Sequence, residues 1–167
     1  MNSVASYRPV LTGDCLLTAD PQDCFQLVLG SCVAACVWDA KAAIGGVNHF
    51  LLPYADACRG PDALRVGGAY LMERLIEALV ARGATLGRLK ARIFGGANLI
   101  GSAVGQQNAE FAAAFLRTRR IDLLSSDVGG AQARALRVWP AQGRVEVRRI
   151  APAPSAPPLD RSSARQR

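Results

Sequence analysis

The stretch LGSCVAACVWD at residues 29–39, followed after a short break by IGGVNHFLLP at residues 44–53, decides the fold. Polar and small residues join these two apolar runs, a pattern typical of a β-hairpin. Apolar side chains occupy both alternating faces of each run. We therefore expect the hairpin to be covered on both sides, as in a layered architecture.

The hairpin carries Cys32 and His49, the only histidine of the chain. A two-residue loop at positions 40–41 would set these two residues directly opposite each other, with Cβ atoms about 4.5–5.5 Å apart. A three-residue loop would send them to opposite faces, unless a bulge at positions 45–46 restored the pairing. A cysteine beside a histidine base is the arrangement of a covalent nucleophile.

Composition indicates one globular domain, because 167 residues with 50% hydrophobic and 20% charged side chains can bury a sizeable core. The first residues lack the basic and apolar segments of a secretory signal, and no apolar run reaches the roughly 18–20 residues of a membrane span. We expect a cytoplasmic protein without membrane insertion.

The five cysteines are irregularly spaced and include no Cys-x-x-Cys pair. With a single histidine, they do not match the usual zinc sets, so no metal site is expected. A disulfide framework is not expected either in a reducing compartment. Cys36 shares a strand face with Cys32 but has no histidine opposite, and we interpret it as a buried structural cysteine.

The net charge of +7 comes from arginines spread along the chain, since all but Lys41 and Lys90 of the 20 basic residues are arginine. No basic run is interleaved with aromatic residues, which disfavours nucleic-acid binding. Attraction to an acidic protein surface fits the same charge.

The remaining pattern predicts an α+β domain with a largely antiparallel sheet over residues 1–150. Residues 151–167 are rich in proline, serine and arginine, and we expect a disordered tail. The predicted strands lie at 13–18, 25–29, 89–94, 121–125, 135–139 and 144–150, besides the hairpin, and the predicted helices lie at 67–82 and 106–119.

The blocks LGSC at 29–32 and NHFLLP at 48–53 resemble the signature of the CheD family of chemoreceptor glutamine deamidases. Further similarity lies in FGGAN at 94–98, VGQQN at 104–108 and DVGG at 127–130. The similarity runs in order from about residue 10 to residue 150.

The resemblance implies a layered α/β sandwich related to the catalytic domain of cytotoxic necrotising factor toxins. It also implies hydrolysis of glutamine side chains to glutamate on methyl-accepting chemotaxis receptors, and in some members cleavage of glutamate methyl esters. A CheC-type phosphatase is a further partner that it implies. The family's nucleophile falls on Cys32 and its histidine on His49.

The sequence departs from the family at two places. The family has a threonine five or six residues before the cysteine, where this chain has Leu27 and Gln26. Gln26 or Thr18 is then the candidate for the residue that orients His49. The usual arginine of the Gly-x-x-Asn block is replaced by Gln107.

The chemistry expected of this site is amide hydrolysis through a thioester, with backbone N–H groups near Gly30 and Ser31 holding the oxyanion. Neither a metal nor an organic cofactor is required. Asn48 points away from His49 and is interpreted as a contact within the sheet. The competing function is a CheD-like module that has lost catalysis and binds receptors or a CheC-type phosphatase, and a weaker one is nucleic-acid binding.

Overall fold

The chain forms two β-sheets and two α-helices in this computed structural model, which describes residues 7–51 and 67–151. Two short 3-10 turns, at Leu86–Arg88 and Pro140–Gln142, complete the secondary structure of these residues. The elements in chain order are β1 (Tyr7–Pro9), β2 (Cys15–Thr18), β3 (Cys24–Leu29), β4 (Val33–Asp39), β5 (Ile44–Phe50), α1 (Gly68–Ala81), β6 (Lys90–Gly95), α2 (Val104–Thr118), β7 (Asp122–Val128), β8 (Ala133–Trp139) and β9 (Arg144–Ile150).

The strands are divided between a four-stranded sheet, in the order β1-β3-β8-β9, and a five-stranded sheet, in the order β2-β5-β4-β6-β7. Only the β1–β3 and β6–β7 pairs are parallel among these neighbours. The expected α+β class, layered and largely antiparallel, is confirmed. The single predicted sheet is instead two, and the predicted loop at 53–61 lies outside the described residues.

Strand β4 is central to the five-stranded sheet and is buried along its whole length. Alternate residues of this strand belong to two different cores, because successive side chains of a strand point to opposite faces. The face against the helices carries Val33, Ala35 and Val37. The face against the four-stranded sheet carries Ala34, Cys36 and Trp38. The predicted coverage of both faces is therefore confirmed.

The turn of the β4–β5 hairpin differs from the two-residue loop that we predicted. Asp39 pairs with Ile44, so four residues, 40–43, form the connection, and His49 lies opposite Ala34 rather than Cys32. The Asp39 carboxylate accepts hydrogen bonds from the N–H groups at 41 and 42, and Ala43 adopts a left-handed φ of 51°. The observed register differs from the predicted one by two residues. Because side chains along a strand alternate with a period of two, Cys32 and His49 still belong to the same face of the hairpin.

Asp39 also ties the hairpin to the segment that follows α1. Its buried carboxylate accepts hydrogen bonds from the Thr85 N–H at 2.9 Å and from the Arg88 guanidinium, which is 2.8 Å away at its closest. The hydrogen bond from Arg88 is the main cause that holds the pKa of Asp39 well below its usual range.

Neither α1 nor α2 is long and apolar enough to cross a membrane, nor is any other helix of the described residues.

Gly45 lies where the start of β5 meets the 3-10 turn Pro140–Gln142. A Cβ atom at Gly45 would come within 2.0 Å of the Pro140 carbonyl oxygen, which is backbone and cannot swing away. Glycine is therefore required there by close approach of two backbones.

We expect Gly45→Ala to lower the free energy of unfolding by about 1–3 kcal/mol, the usual cost of overpacking. Chemical denaturation followed by circular dichroism measures this change. Gly87→Ala is the matched control, because an added Cβ at Gly87 would meet no atom within 4 Å. Equal unfolding midpoints for the two variants would contradict the expected contact.

Candidate active site

Cys32 lies in the short connection between β3 and β4, and hydrogen bonds from the region after β6 hold this connection in place. The carbonyls of residues 30, 31 and 32 accept hydrogen bonds from the Ala97 N–H at 2.8 Å, the Asn108 side-chain amide at 3.0 Å and the Gly96 N–H at 2.8 Å, in that order. Three successive carbonyls are thus held by two segments, the residues directly after β6 and α2. Within the described part of the chain, no backbone hydrogen bond uses the N–H groups of residues 30–32 as donors.

The close approach to Cys32 requires glycine at position 95. Gly95 has a φ of +106°, and a Cβ added to it would lie 2.1 Å from the Cys32 carbonyl oxygen. Both the conformation and the contact exclude a side chain. The FGGAN block, which sequence analysis connected only with the family, therefore has a local physical reason: its first glycine allows the close approach to the backbone of Cys32, the candidate nucleophile.

His49 belongs to β5, and the residue is 5% exposed. The ring nitrogen Nδ1 lies 3.1 Å from the Val10 carbonyl oxygen. A carbonyl only accepts hydrogen bonds, so Nδ1 carries the proton and, in the neutral ring, Nε2 has a free lone pair. The backbone of His49 is held as well, since its N–H donates to Asp14 at 3.1 Å and its carbonyl accepts from Gly13 at 2.7 Å.

Thr12 connects the two candidate residues, and sequence analysis missed it. Its hydroxyl oxygen lies 3.4 Å from His49 Nε2 and 3.9 Å from Cys32 Sγ. With Nε2 as an acceptor, the hydroxyl donates to the imidazole and its oxygen can accept the thiol proton. The only sequence signal is the turn Leu11-Thr12-Gly13-Asp14 before β2, and nothing there indicates which strand end the threonine approaches.

Burial keeps the resting pair neutral. Loss of solvent raises the pKa of the Cys32 thiol, although the hydrogen bond from Thr12 acts in the opposite direction. Loss of solvent likewise lowers the pKa of His49, against the opposing effects of the Val10 carbonyl and the Asp14 carboxylate. Near pH 7 the site therefore rests as a thiol beside a neutral imidazole.

The two residues considered as orienting groups for His49 lie elsewhere in the hydrogen-bond network. Thr18 donates to the Asp23 carboxylate at 2.6 Å and accepts from the Asp20 N–H at 3.0 Å. Gln26 is exposed on β3 and lines the same shallow cleft as His49 and Thr12. Among the described residues, neither Thr18 nor Gln26 forms a hydrogen bond with the imidazole.

Cys36 and Asn48 take the structural positions expected of them. Cys36 lies in the core between the two sheets, opposite Val47, and burial raises the pKa of its thiol to about 12. Asn48 is fully buried, accepts from the Ala35 N–H at 3.0 Å and contacts the Met72 sulfur at 3.2 Å. It therefore faces α1, away from His49.

Asn108 is a second residue whose role the sequence did not reveal. It lies on α2 and is fully buried, 77 positions along the chain from Ser31, whose carbonyl it holds. Its Oδ1 atom has no hydrogen-bond partner among the residues that the structure describes. Those residues also bring together no group of three His, Cys, Asp or Glu side chains that could hold a metal ion.

A cleft of about 340 Å³ opens beside His49. Its walls come from the chain around β1 and from β3, with Leu11 and Val28 as exposed apolar rims. The cleft gives a side chain from another molecule a route toward Thr12 and His49, which line it.

Comparison with known proteins identifies the relatives of this chain. The model of the family described as CheD chemotactic sensory transduction matches residues 52–149. A probable chemoreceptor glutamine deamidase CheD of Caulobacter vibrioides (strain NA1000 / CB15N) is 50% identical over 145 residues, covering 85% of this chain and 77% of the relative. The protein of the same name from Agrobacterium fabrum is 44% identical over 146 residues, covering 86% and 80%.

Among solved structures, the hypothetical protein YfiH of Bacillus licheniformis matches with a TM-score of 0.36 and 15% identity. That match covers 54% of this chain and 36% of the other. The family match and the relatives' identity over most of the chain, together with the cluster at Cys32, lead to one conclusion: the chain belongs to the CheD family.

Proposed function

We propose that the protein hydrolyses glutamine side chains of chemotaxis receptors to glutamate. Membership of the CheD family and the names of the relatives support this substrate. The observation that carries the proposal is the cluster in which one threonine hydroxyl lies within 3.4 Å of His49 Nε2 and 3.9 Å of Cys32 Sγ. A nucleophile, a base and a group between them are the parts that amide hydrolysis needs.

The reaction begins from the neutral pair. As Cys32 attacks the carboxamide carbon, its proton passes by way of the Thr12 hydroxyl to Nε2 of His49, and the new C–S bond forms a tetrahedral intermediate. The imidazolium returns the proton to the leaving nitrogen, and ammonia departs as the thioester forms. Water, deprotonated by His49, then cleaves the thioester and yields glutamate and the free thiol.

The negative oxygen of the tetrahedral intermediate requires hydrogen-bond donors. The N–H groups around Gly30 and Ser31 are the candidates. In a trans peptide the N–H of the next residue points away from the carbonyl, so the Gly30 and Ser31 carbonyls held by Ala97 and Asn108 turn the N–H groups of Ser31 and Cys32 to the other side. A donor of this kind contributes about 3–4 kcal/mol to the transition state in well-studied enzymes. The sequence-based assignment of Gly30 and Ser31 to this role is kept in the proposal.

Thr12 takes the third place in this proposal, instead of Gln26 or Thr18. The family threonine before the cysteine is absent, and the hydroxyl of Thr12 approaches the same two groups from the turn before β2. A hydroxyl supplied from another part of the chain can do the same work, because geometry rather than sequence position defines a catalytic constellation.

The further features implied by the resemblance are part of the same proposal. They are a catalytic domain over residues 1–150, a relation to the cytotoxic necrotising factor fold, and regulation by a CheC-type phosphatase. Action in the cytoplasm is proposed from composition, and the tail predicted over residues 151–167 lies, except for residue 151, outside the described residues. No organic cofactor takes part in the steps above. The second candidate function is a binding module without catalysis, which the departures at Gln26 and Leu27 favour.

The test of the enzymatic proposal is ammonia release from a purified receptor cytoplasmic fragment. Cys32→Ala and His49→Ala should each lower the rate to background, because each removes a group that takes part in proton or acyl transfer. Cys36→Ala is the matched control and should retain turnover, since Cys36 is buried between the sheets. Binding of the fragment by the wild-type protein without ammonia release would favour the binding module.

The neutral resting pair predicts the pH dependence of the reaction. The pKa of His49 is lowered, so the base stays unprotonated and kcat/KM should hold down to pH values below about 6.5, the ordinary histidine pKa. The raised pKa of Cys32 predicts that its alkylation by iodoacetamide rises with pH to a midpoint above the usual 8.5 or so. Peptide mapping by mass spectrometry separates Cys32 from the other cysteines. A plateau of alkylation reached near pH 6 would instead indicate a thiolate–imidazolium pair.

Thr12→Val should lower kcat about tenfold, because a hydrogen bond to the imidazole is worth about 1–1.5 kcal/mol. The Thr12 hydroxyl also lowers the pKa of Cys32, so Thr12→Val should move the alkylation midpoint to higher pH. Thr12→Ser keeps the hydroxyl and should restore both values. An unchanged alkylation profile in Thr12→Val would show that the threonine has only a structural role.

A further inference from the structure

The outer face of the four-stranded sheet continues the cleft beside His49. A second shallow cleft, of about 420 Å³, runs across β3, β8 and β9, and Gln26 lines both clefts. The two therefore form one surface that begins at Thr12 and His49 and ends on β9. We call this surface the β3–β9 face, defined by Gln26, Val28, Ala135, Arg137, Glu146 and Arg148.

The strand register places these residues in two rows across the sheet. Gln26 pairs with Arg137, which pairs with Glu146, and Val28 pairs with Ala135, which pairs with Arg148. Neighbouring strands lie about 4.8 Å apart, so Arg137 lies about 5 Å beyond the cleft that holds His49, and Arg148 about 10 Å. Both arginines are exposed, on the same side of the sheet as Gln26.

The charge of this face is positive in spite of Glu146. That carboxylate is in an ion pair with Arg144, which leaves Arg137 and Arg148 to determine the local potential. Among the described residues, neither arginine has a salt bridge, and Arg137 lies 5.7 Å from the ring centre of Tyr7. By contrast, Arg149, on the opposite face of β9, is held by Asp127 at 2.9 Å.

We propose that the β3–β9 face docks an acidic segment of the substrate protein, with Arg137 and Arg148 binding carboxylates that flank the target glutamine. This proposal rests on the proposed glutamine deamidation and specifies its substrate class. The two arginines lie one and two strands beyond β3, so a segment that crosses the face from the cleft can bring two carboxylates to them. Guanidinium groups suit carboxylates because they can bind them with two parallel hydrogen bonds.

A protein substrate fits this face better than a nucleic acid does. The face leads directly to a cysteine–histidine cluster, and the proposed chemistry of that cluster acts on a carboxamide carried by a polypeptide. Nucleic-acid tracks combine basic residues with exposed aromatic platforms. None of the six residues that define the β3–β9 face is aromatic, and the neighbouring exposed ring of Tyr7 lies beside Arg137. The exposed apolar residues Leu11 and Val28 can instead contact the aliphatic part of a peptide.

The test is a binding titration with a fluorescent peptide that holds one glutamine between pairs of glutamates. The protein is the full chain carrying Cys32→Ala, so that no turnover disturbs the equilibrium. Adding Arg137→Gln and Arg148→Gln should raise Kd about tenfold, and should flatten the dependence of Kd on salt. A peptide with alanines in place of the glutamates should bind weakly to both proteins.

The matched control adds Arg82→Gln and Arg117→Gln, which remove the same charge from the ends of α1 and α2. Its Kd should equal that of the parent, and thermal unfolding should show that both variants are folded. Equal weakening by the two pairs, or equal binding of the alanine peptide, would overturn the proposal. Tighter binding of a single-stranded DNA oligonucleotide, lost with Arg137 and Arg148, would assign the face to nucleic acid instead.

Turnover measurements distinguish a failure of the docking proposal from a failure of the proposed deamidation. In the active protein, Arg137→Gln with Arg148→Gln should raise KM for a receptor fragment and leave kcat unchanged. An unchanged KM with normal ammonia release would refute the docking face and leave deamidation intact. Arginine-dependent binding without any ammonia release would refute deamidation and leave the docking face intact.

Discussion

The rest of the structure depends on the burial of one hairpin from both sides. Strand β4 lies at the centre of its sheet, and its alternate residues fill one core under the helices and a second core under the four-stranded sheet. Such a strand tolerates no shift of one residue, because every apolar side chain would exchange cores. A shift of two residues leaves every apolar side chain in its own core, so the observed four-residue turn is compatible with both cores.

The same constraint fixes the candidate nucleophile. Cys32 lies one residue before β4, so the packing of β4 in the core fixes its backbone from one side. The glycines at the end of β6, Gly95 and Gly96, contact its backbone from the other side. Gly95 and Gly96 approach the Cys32 carbonyl where no side chain would fit, and Asn108 reaches across from α2 to the preceding residue. The candidate nucleophile therefore lies on backbone that two distant segments hold, the end of β6 and α2, as a pre-organised site requires.

Burial explains the electrostatics of the site as well as its rigidity. The imidazole is almost inaccessible, with a carbonyl at Nδ1 and a hydroxyl near Nε2, so its neutral tautomer is set by its surroundings. A buried ion pair would cost desolvation of two charges, and this cost outweighs the hydrogen bonds that Thr12 and the Cys32 backbone offer to the sulfur. The charged side chains near the site lie instead on the surface, where Arg137 and Arg148 are exposed on the β3–β9 face beside the cleft.

Local pattern alone determined much of this molecule: the buried hairpin, both helices to within a few residues and the remaining predicted strands, because apolar periodicity is a local property. Residue type indicated Cys32 and His49 as candidates, but the direct pairing expected of them was wrong. Local pattern could not determine the division of the strands into two sheets, since pairing depends on contacts between distant segments. Nor could it find Thr12 or Asn108, whose distances from Cys32 along the chain, 20 and 76 residues, carry no periodic signal. The turn length also lay beyond the pattern, because the carboxylate of Asp39 and the left-handed φ of Ala43 shape it. Only the tertiary structure brings a hydroxyl from the turn before β2 to the space between the thiol and the imidazole.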